Sequence, residues 1–337
     1  ASTDTPFSIS AKADHNATLQ QSLTADHLSV GVGASNNLGF YASAHNGGAL
    51  SQTFALSHVT ADNAPADGVY MYVSSDSGAT AIQKVSINSL SAKHSGLDGV
   101  GEILDVGGAG SVGAQYLTLI DAALEHSGRN GVYASAISHD QAVARQDVYV
   151  SGANVSHAGT DGIEVYSAAF DGASMQQNAY LYNINASDAG NDGIAIFNYA
   201  RGEFAFAAQG GALYNIDVSY AARNGLAFGS VAKAADTEQQ FYAYYVTATH
   251  DGENGVSIAS YADGAATGVY QSYPAHVEQD IGVIYGDISH NGNDGVHITN
   301  NISGGAALDQ SVFLYGVHVD SNGRYGVSEL SSLQQAS

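Results

Sequence analysis

An all-β solenoid, about ten coils long with one coil per repeat, is the fold class predicted by this 337-residue sequence. Three observations predict it: a fixed period, paired apolar residues two apart, and a recurring Asx-Gly corner. The period is marked by Gln52, Gln83, Gln115, Gln146, Gln177, Gln209, Gln239, Gln279 and Gln310. Each stands sixteen residues before one of Gly68, Gly99, Gly131, Gly162, Gly193, Gly225, Gly255, Gly295 and Gly326. Successive glycines are 31, 32, 31, 31, 32, 30, 40 and 31 residues apart. A degenerate tenth copy at the front carries Gly39, with Gln20 and Gln21 out of register. A fixed period of this size marks stacked supersecondary units.

Within one copy the elements follow in order. After Gln146, Val148 and Val150 form a first inward-facing pair, Ala153 and Val155 a second, and Ile163 and Val165 a third. Spacing by two is the strand period. The odd offset between the first and second pairs predicts a bend. Before the third pair comes a turn of small and polar residues. The residue preceding the glycine is Asp67, Asp98, Asn130, Asp161, Asp192, Asn224, Asn254 or Asp294. Two positions earlier stands Gly96, Gly128, Gly159, Gly190, Gly252, Gly292 or Gly323. These residue types tolerate left-handed backbone angles, so a tight corner is expected here. The Ala/Gly/Ser-rich stretch after Val165 reads as a third, looser side with a loop. Ankyrin-like or tetratricopeptide-like helices would need apolar residues three and four apart over longer runs.

Ten coils at about 4.8 Å each predict a rod on the order of 50 Å long. The expected organisation is one domain over 1–337, with an irregular segment at 1–29 and coils at 30–330. The one 40-residue interval predicts a protruding loop at 264–276.

Composition excludes several partners. Thirty-two acids against nine bases make a formal charge of −23, which disfavours nucleic acid and anionic membrane surfaces. No apolar run is long enough to predict membrane insertion. There is no cysteine, so neither disulfides nor thiolate metal sites are available. Poverty in lysine with richness in Ser, Asn, Gly and Ala is similar to secreted bacterial surface proteins, and an extracellular or cell-surface location is expected.

The phrases Ser289-His290-Asn291-Gly292-Asn293-Asp294-Gly295-Val296 and Asp320-Ser321-Asn322-Gly323-Arg324-Tyr325-Gly326-Val327 resemble the repeats of right-handed parallel β-helix proteins. That superfamily includes pectate lyases, mannuronan epimerases, phage tailspikes and non-enzymatic adhesins, so the resemblance implies a fold more than an activity. The corner phrase is most similar to that of the epimerases, which carry an Asp-Pro-His-Glu cluster. Here the nearest counterpart, Pro274-Ala275-His276-Val277-Glu278, lacks the Asp and has altered spacing. No catalytic residue is nominated.

Three columns are candidates for other roles. The glutamines have inward parity and are expected to form a structural amide ladder. Five residues before the glycine stand His94, His126 and His157, candidate metal ligands on adjacent coils, with Asp188, His250 and His290 further on. At this column a corner side chain bonded to turn backbone is the plainer expectation. Tyr149, Tyr180, Tyr242 and Phe313, with Tyr182, Tyr214, Tyr244 and Tyr315 two residues later, have outward parity. They form a candidate face for glycan contact or self-association. No cofactor is expected; Ca²⁺ at the Asx turns would find few ligands per site.

The functional expectation is a structural or adhesive extracellular β-helix that associates with itself, head to tail or laterally. The alternatives are a uronate lyase or C5-epimerase with its groove beside the 264–276 loop, and a glycan-binding module.

Overall fold

Residues 6–31, 35–264 and 274–334 are described by the structure, a computed structural model. The expected loop at 264–276 falls mainly on 265–273 and so lies outside the described residues. Two parallel sheets run the length of the molecule. One holds eleven short strands, from Phe7–Ala13 to Val327–Gln334, and the other ten longer ones, from Thr18–Asp26 to Ala307–Asp320. Each coil sends one strand to each sheet, so neighbouring strands are successive repeats. Gln146 pairs with Gln115 on one side and Gln177 on the other. Sequence columns are therefore rows along the rod axis.

The three apolar pairs all point inward. Val148, Val150, Ala153, Val155, Ile163 and Val165 belong to one core cluster that extends through the successive coils. The first two pairs share a single strand, Val143–Ser156, bent at Gly152. The same position is held in a left-handed conformation by His27, His58, Ser89, Asp121, Asn183, Asn215, Tyr245 and Tyr285. One left-handed residue turns the strand while its backbone stays bonded to the next coil, as where the N–H of His27 donates to the Ser57 carbonyl at 3.0 Å.

Several expectations are corrected. The stretch after Val165 is not a third side; it completes the strand Ile163–Phe170, then turns at Asp171 and Gly172 directly into Ser174–Ser187. Small residues occupy it because the two sheets converge there, and Ala136, Ala144, Ala169, Ala200 and Ala207 fill the narrow apex. The front of the chain is also more regular than expected. Phe7–Ala13 and Thr18–Asp26 are strands in register with the second copy, so a coil lies inside 1–29. Gln21 pairs with Gln52, and Asn37, not Gly39, occupies the glycine position, its N–H reaching the Asp67 carbonyl as that of Gly68 reaches Asp98.

The corner glycines have a different cause from the one their residue types suggest. Among the described residues, neither they nor the Asx before them adopt positive φ; the left-handed residue is the one five before the glycine, such as His94, His126 or His157. Gly159 is required by close stacking instead. A Cβ there would sit 2.2 Å from the Gly128 carbonyl oxygen, and one on Gly190 2.3 Å from that of Gly159. Replacing Gly159 by alanine should lower the unfolding free energy in urea by about 1–3 kcal/mol, since the coils must separate to admit the methyl group. Gly107→Ala, where nothing lies within 4 Å, should stay within roughly 0.5 kcal/mol of the parent. Equal midpoints for the two variants would refute the stacking explanation.

Candidate functional site

Two hydrogen-bonded ladders occupy the interior and corner. Each glutamine amide donates through Nε2 to the Oε1 of the preceding coil, from Gln52 onto Gln21 at 2.9 Å to Gln310 onto Gln279 at 2.7 Å. The bonds through Gln83, Gln115, Gln146, Gln177, Gln209, Gln239 and Gln279 make this continuous. The second amide hydrogen reaches a backbone carbonyl across the core, as from Gln177 to Tyr166 at 2.9 Å. Along the corner, Asx carboxyl and amide oxygens accept the backbone N–H of the next coil, Asp98 from Asn130 at 3.0 Å and Asp161 from Asp192 at 2.9 Å. Both ladders satisfy buried polar groups.

The histidine column is a stack of rings. His94 and His126 lie 5.0 Å apart and His126 and His157 4.6 Å apart, with interplanar angles of 11° and 1°. Imidazole lone pairs lie in the ring plane, so stacked rings direct their nitrogens side by side and not toward one point. No side-chain bond to turn backbone joins these histidines among the described residues; His157 Nε2 lies 3.9 Å from the Asp188 carboxylate. Further along, Tyr220, His250 and His290 form a second stack at 5.0 and 5.2 Å. Tyr220 escaped the sequence reading because its type differs, although its offset is the same.

A charged cluster borders the short-strand sheet. The Arg129 guanidinium grips both oxygens of Asp98 and lies 4.7 Å above the Tyr133 ring. Asn130 donates to Glu164 at 3.0 Å. Burial first, and then the charge of Asp161, pushes the Glu164 carboxyl up to about 7. Burial likewise pushes Asp67 up to about 6. A groove further along the same edge contains Arg223, Glu253, Asp294, His297 and Arg324. Arg223 lies 3.5 Å from Glu253, and His297 3.1 Å from Asp294. Beside the raised Glu164 carboxyl, Arg129 is engaged by Asp98, and in the groove Arg223 is engaged by Glu253. On the strand His276–Ser289, His276 and Glu278 face outward beside Asp309, His276 at 3.4 Å from it.

The outward aromatic residues form one connected strip on the long-strand sheet. Tyr149 meets Tyr182 at 5.5 Å, Tyr182 meets Tyr214 at 6.5 Å, and Tyr214 meets Tyr244 at 6.4 Å and Tyr245 at 5.2 Å. The strip continues from Tyr245 through Tyr285 to Tyr315 and Phe313, at 5.6, 5.5 and 6.2 Å. Tyr180 and Tyr242 stand in the same row as Tyr149 and Phe313 and are exposed. Glycine makes room for two rings: a Cβ on Gly282 would meet Tyr242 at 2.6 Å, and one on Gly316 would meet Tyr285 at 2.7 Å. Tyr245 and Tyr285 were missed in the sequence because they occupy the left-handed bend, where strand parity does not apply. Carboxylates flank the strip, with Glu238, Glu278 and Asp309 in one row and Asp217 and Asp287 in another.

No protein-family model matches the sequence, and no curated protein does. Among solved structures, the A-module of mannuronan C-5 epimerase AlgE4 from Azotobacter vinelandii aligns with TM-score 0.28 and 10% identity, covering 95% of this chain and 91% of that one. The AlgE6 A-module from the same organism aligns with TM-score 0.25 and 10% identity, covering 96% and 90%. The parallel β-helix assignment rests on the strand pairing of this chain itself.

Proposed function

We propose that the chain is a non-catalytic, adhesive β-helix that acts outside the cell and holds an extended neutral polysaccharide along its aromatic strip. The connected ring path from Tyr149 to Tyr315 carries this reading. Rings repeat about once per coil, every ~4.8 Å along the axis, close to the length of one pyranose unit in an extended chain. Tyrosine rings stack on the apolar faces of sugars, and the flanking carboxylates accept hydrogen bonds from hydroxyl groups. The same acid rows, on a chain of formal charge −23, repel both a uronate polymer and a second copy laid face to face. That charge favours the neutral glycan over lateral self-association and over uronate chemistry.

Affinity electrophoresis through gels containing neutral glucans, xylans or mannans should show retardation by at least one of them. Retardation should weaken roughly tenfold or more in Tyr214→Ala/Tyr245→Ala, as expected when central aromatic anchors are truncated. Two results would sink the reading: mass increase with concentration that disappears in the same variant, or unsaturated products released from uronate polymers.

A further inference from the structure

Outside the strip, one group of side chains has the donor set and convergence of a metal site. Asp26 ends the strand Thr18–Asp26, and His27 follows it in the left-handed bend. His58 holds the same bend one coil later, stacked on His27 with ring centroids 4.5 Å apart and planes at 15°. As stacked, these two rings also send their lone pairs side by side, so binding requires them to rotate out of the stack. Unlike the stack at His94, His126 and His157, this one has a carboxylate placed against both Nδ1 atoms, which gives them a common point. His27 Nδ1 lies 2.9 Å from one Asp26 oxygen and His58 Nδ1 2.9 Å from the other. The ligand atoms of all three residues lie within 4.8 Å of one another, the one such group among the described residues.

From this geometry we infer that Asp26, His27 and His58 bind a borderline divalent transition ion, of which Zn²⁺ is the type. Two imidazoles and one carboxylate suit that class, whereas Ca²⁺ and Mg²⁺ select all-oxygen sets. The ion takes the place of the protons through which the two Nδ1 atoms now face the carboxylate. Both rings can swing inward for this, their side chains being 76% and 57% exposed. The carboxylate is oriented by Ser57, whose Oγ donates to Asp26 at 2.6 Å, and by the N–H of His27 at 3.0 Å. Such supporting bonds are the usual second layer of a metal centre. A groove lined by Leu28, Ser29, Thr60 and Ser89 leaves the remaining coordination positions open to water or a ligand atom. The bound ion clips two adjacent coils together.

The full chain should be titrated with Co²⁺, followed by its visible d–d absorption, and with Zn²⁺ by calorimetry. One equivalent should bind, Zn²⁺ should displace Co²⁺, and equimolar Ca²⁺ should displace neither. Asparagine tolerates the left-handed bend, so His58→Asn tests the ligand without straining the corner; it and Asp26→Asn should each weaken binding roughly tenfold or more. His126→Asn should leave binding unchanged. Thermal unfolding without metal should be the same for parent and His58→Asn, which keeps a folding defect apart from a lost ligand. Absence of binding to the parent, full affinity in His58→Asn, or loss of binding in His126→Asn would each overturn the assignment.

Discussion

Gln146→Leu should lower the stability of the solenoid by about 2–6 kcal/mol, the largest loss expected from any single outwardly conservative change. Gln146 is fully buried, donates to Gln115 at 3.1 Å and accepts from Gln177 at 2.5 Å. Leucine fills the volume but orphans the Gln115 oxygen and one Gln177 hydrogen, and each buried unmet group costs roughly 1–3 kcal/mol. At the end of the ladder the part-buried Gln310→Leu should cost much less, because the Gln279 oxygen it vacates still accepts from the Ser260 hydroxyl at 2.7 Å. Solenoids unfold as coupled neighbours more than as one unit. Hydrogen exchange around 115, 146 and 177 is therefore the sharper measurement, and unchanged protection there would show that the ladder contributes packing alone.

Glu102→Met should have the opposite sign. Glu102 sits in an inward row between Met71 and Ala134, fully buried, with neither carboxyl oxygen bonded among the described residues. Burial first, and then the charge of Asp147, raises its carboxyl well above the usual range. The folded chain therefore holds a proton that the unfolded chain releases near its ordinary value of about 4.3. A raised folded value means that the stability contribution is complete below that pH. It is lost as pH rises toward the folded value, at a slope approaching about 1.4 kcal/mol per pH unit. Methionine removes both the unmet carboxyl and this slope, so the variant should gain about 1–3 kcal/mol at neutral pH. The gain should shrink toward pH 4. Burial also raises Asp67 to about 6 and Asp251 to about 8, so the parent retains other losses of the same sign. The difference between variant and parent is thus the quantity to follow by urea denaturation across pH 4–8. A difference that does not change with pH would show that Glu102 does not titrate on unfolding.

Much of the candidate surface was legible from offsets. Tyr149, Tyr182, Tyr214 and Tyr315 share strand parity, so their common face followed from counting. Tyr245 and Tyr285 did not, because one left-handed residue changes the direction of a side chain without changing its number in the repeat. The same bend hid His27 and His58, although their 31-residue separation was in plain view. Arg129 and Asp98 lie in neighbouring columns of different coils, and only the corner geometry makes them a pair.

By itself the sequence determined period, register and the inward or outward sense of each strand position. In a solenoid an equal offset along the chain is an equal place on the coil, so local pattern and long-range neighbour are one piece of information. Tertiary structure alone decided which columns meet at the bends: the diagonal ring contacts, the Asp26–His27–His58 group and the close stacking of Gly128 on Gly159. Those contacts depend on left-handed backbone angles and on distances between coils, which residue spacing does not encode.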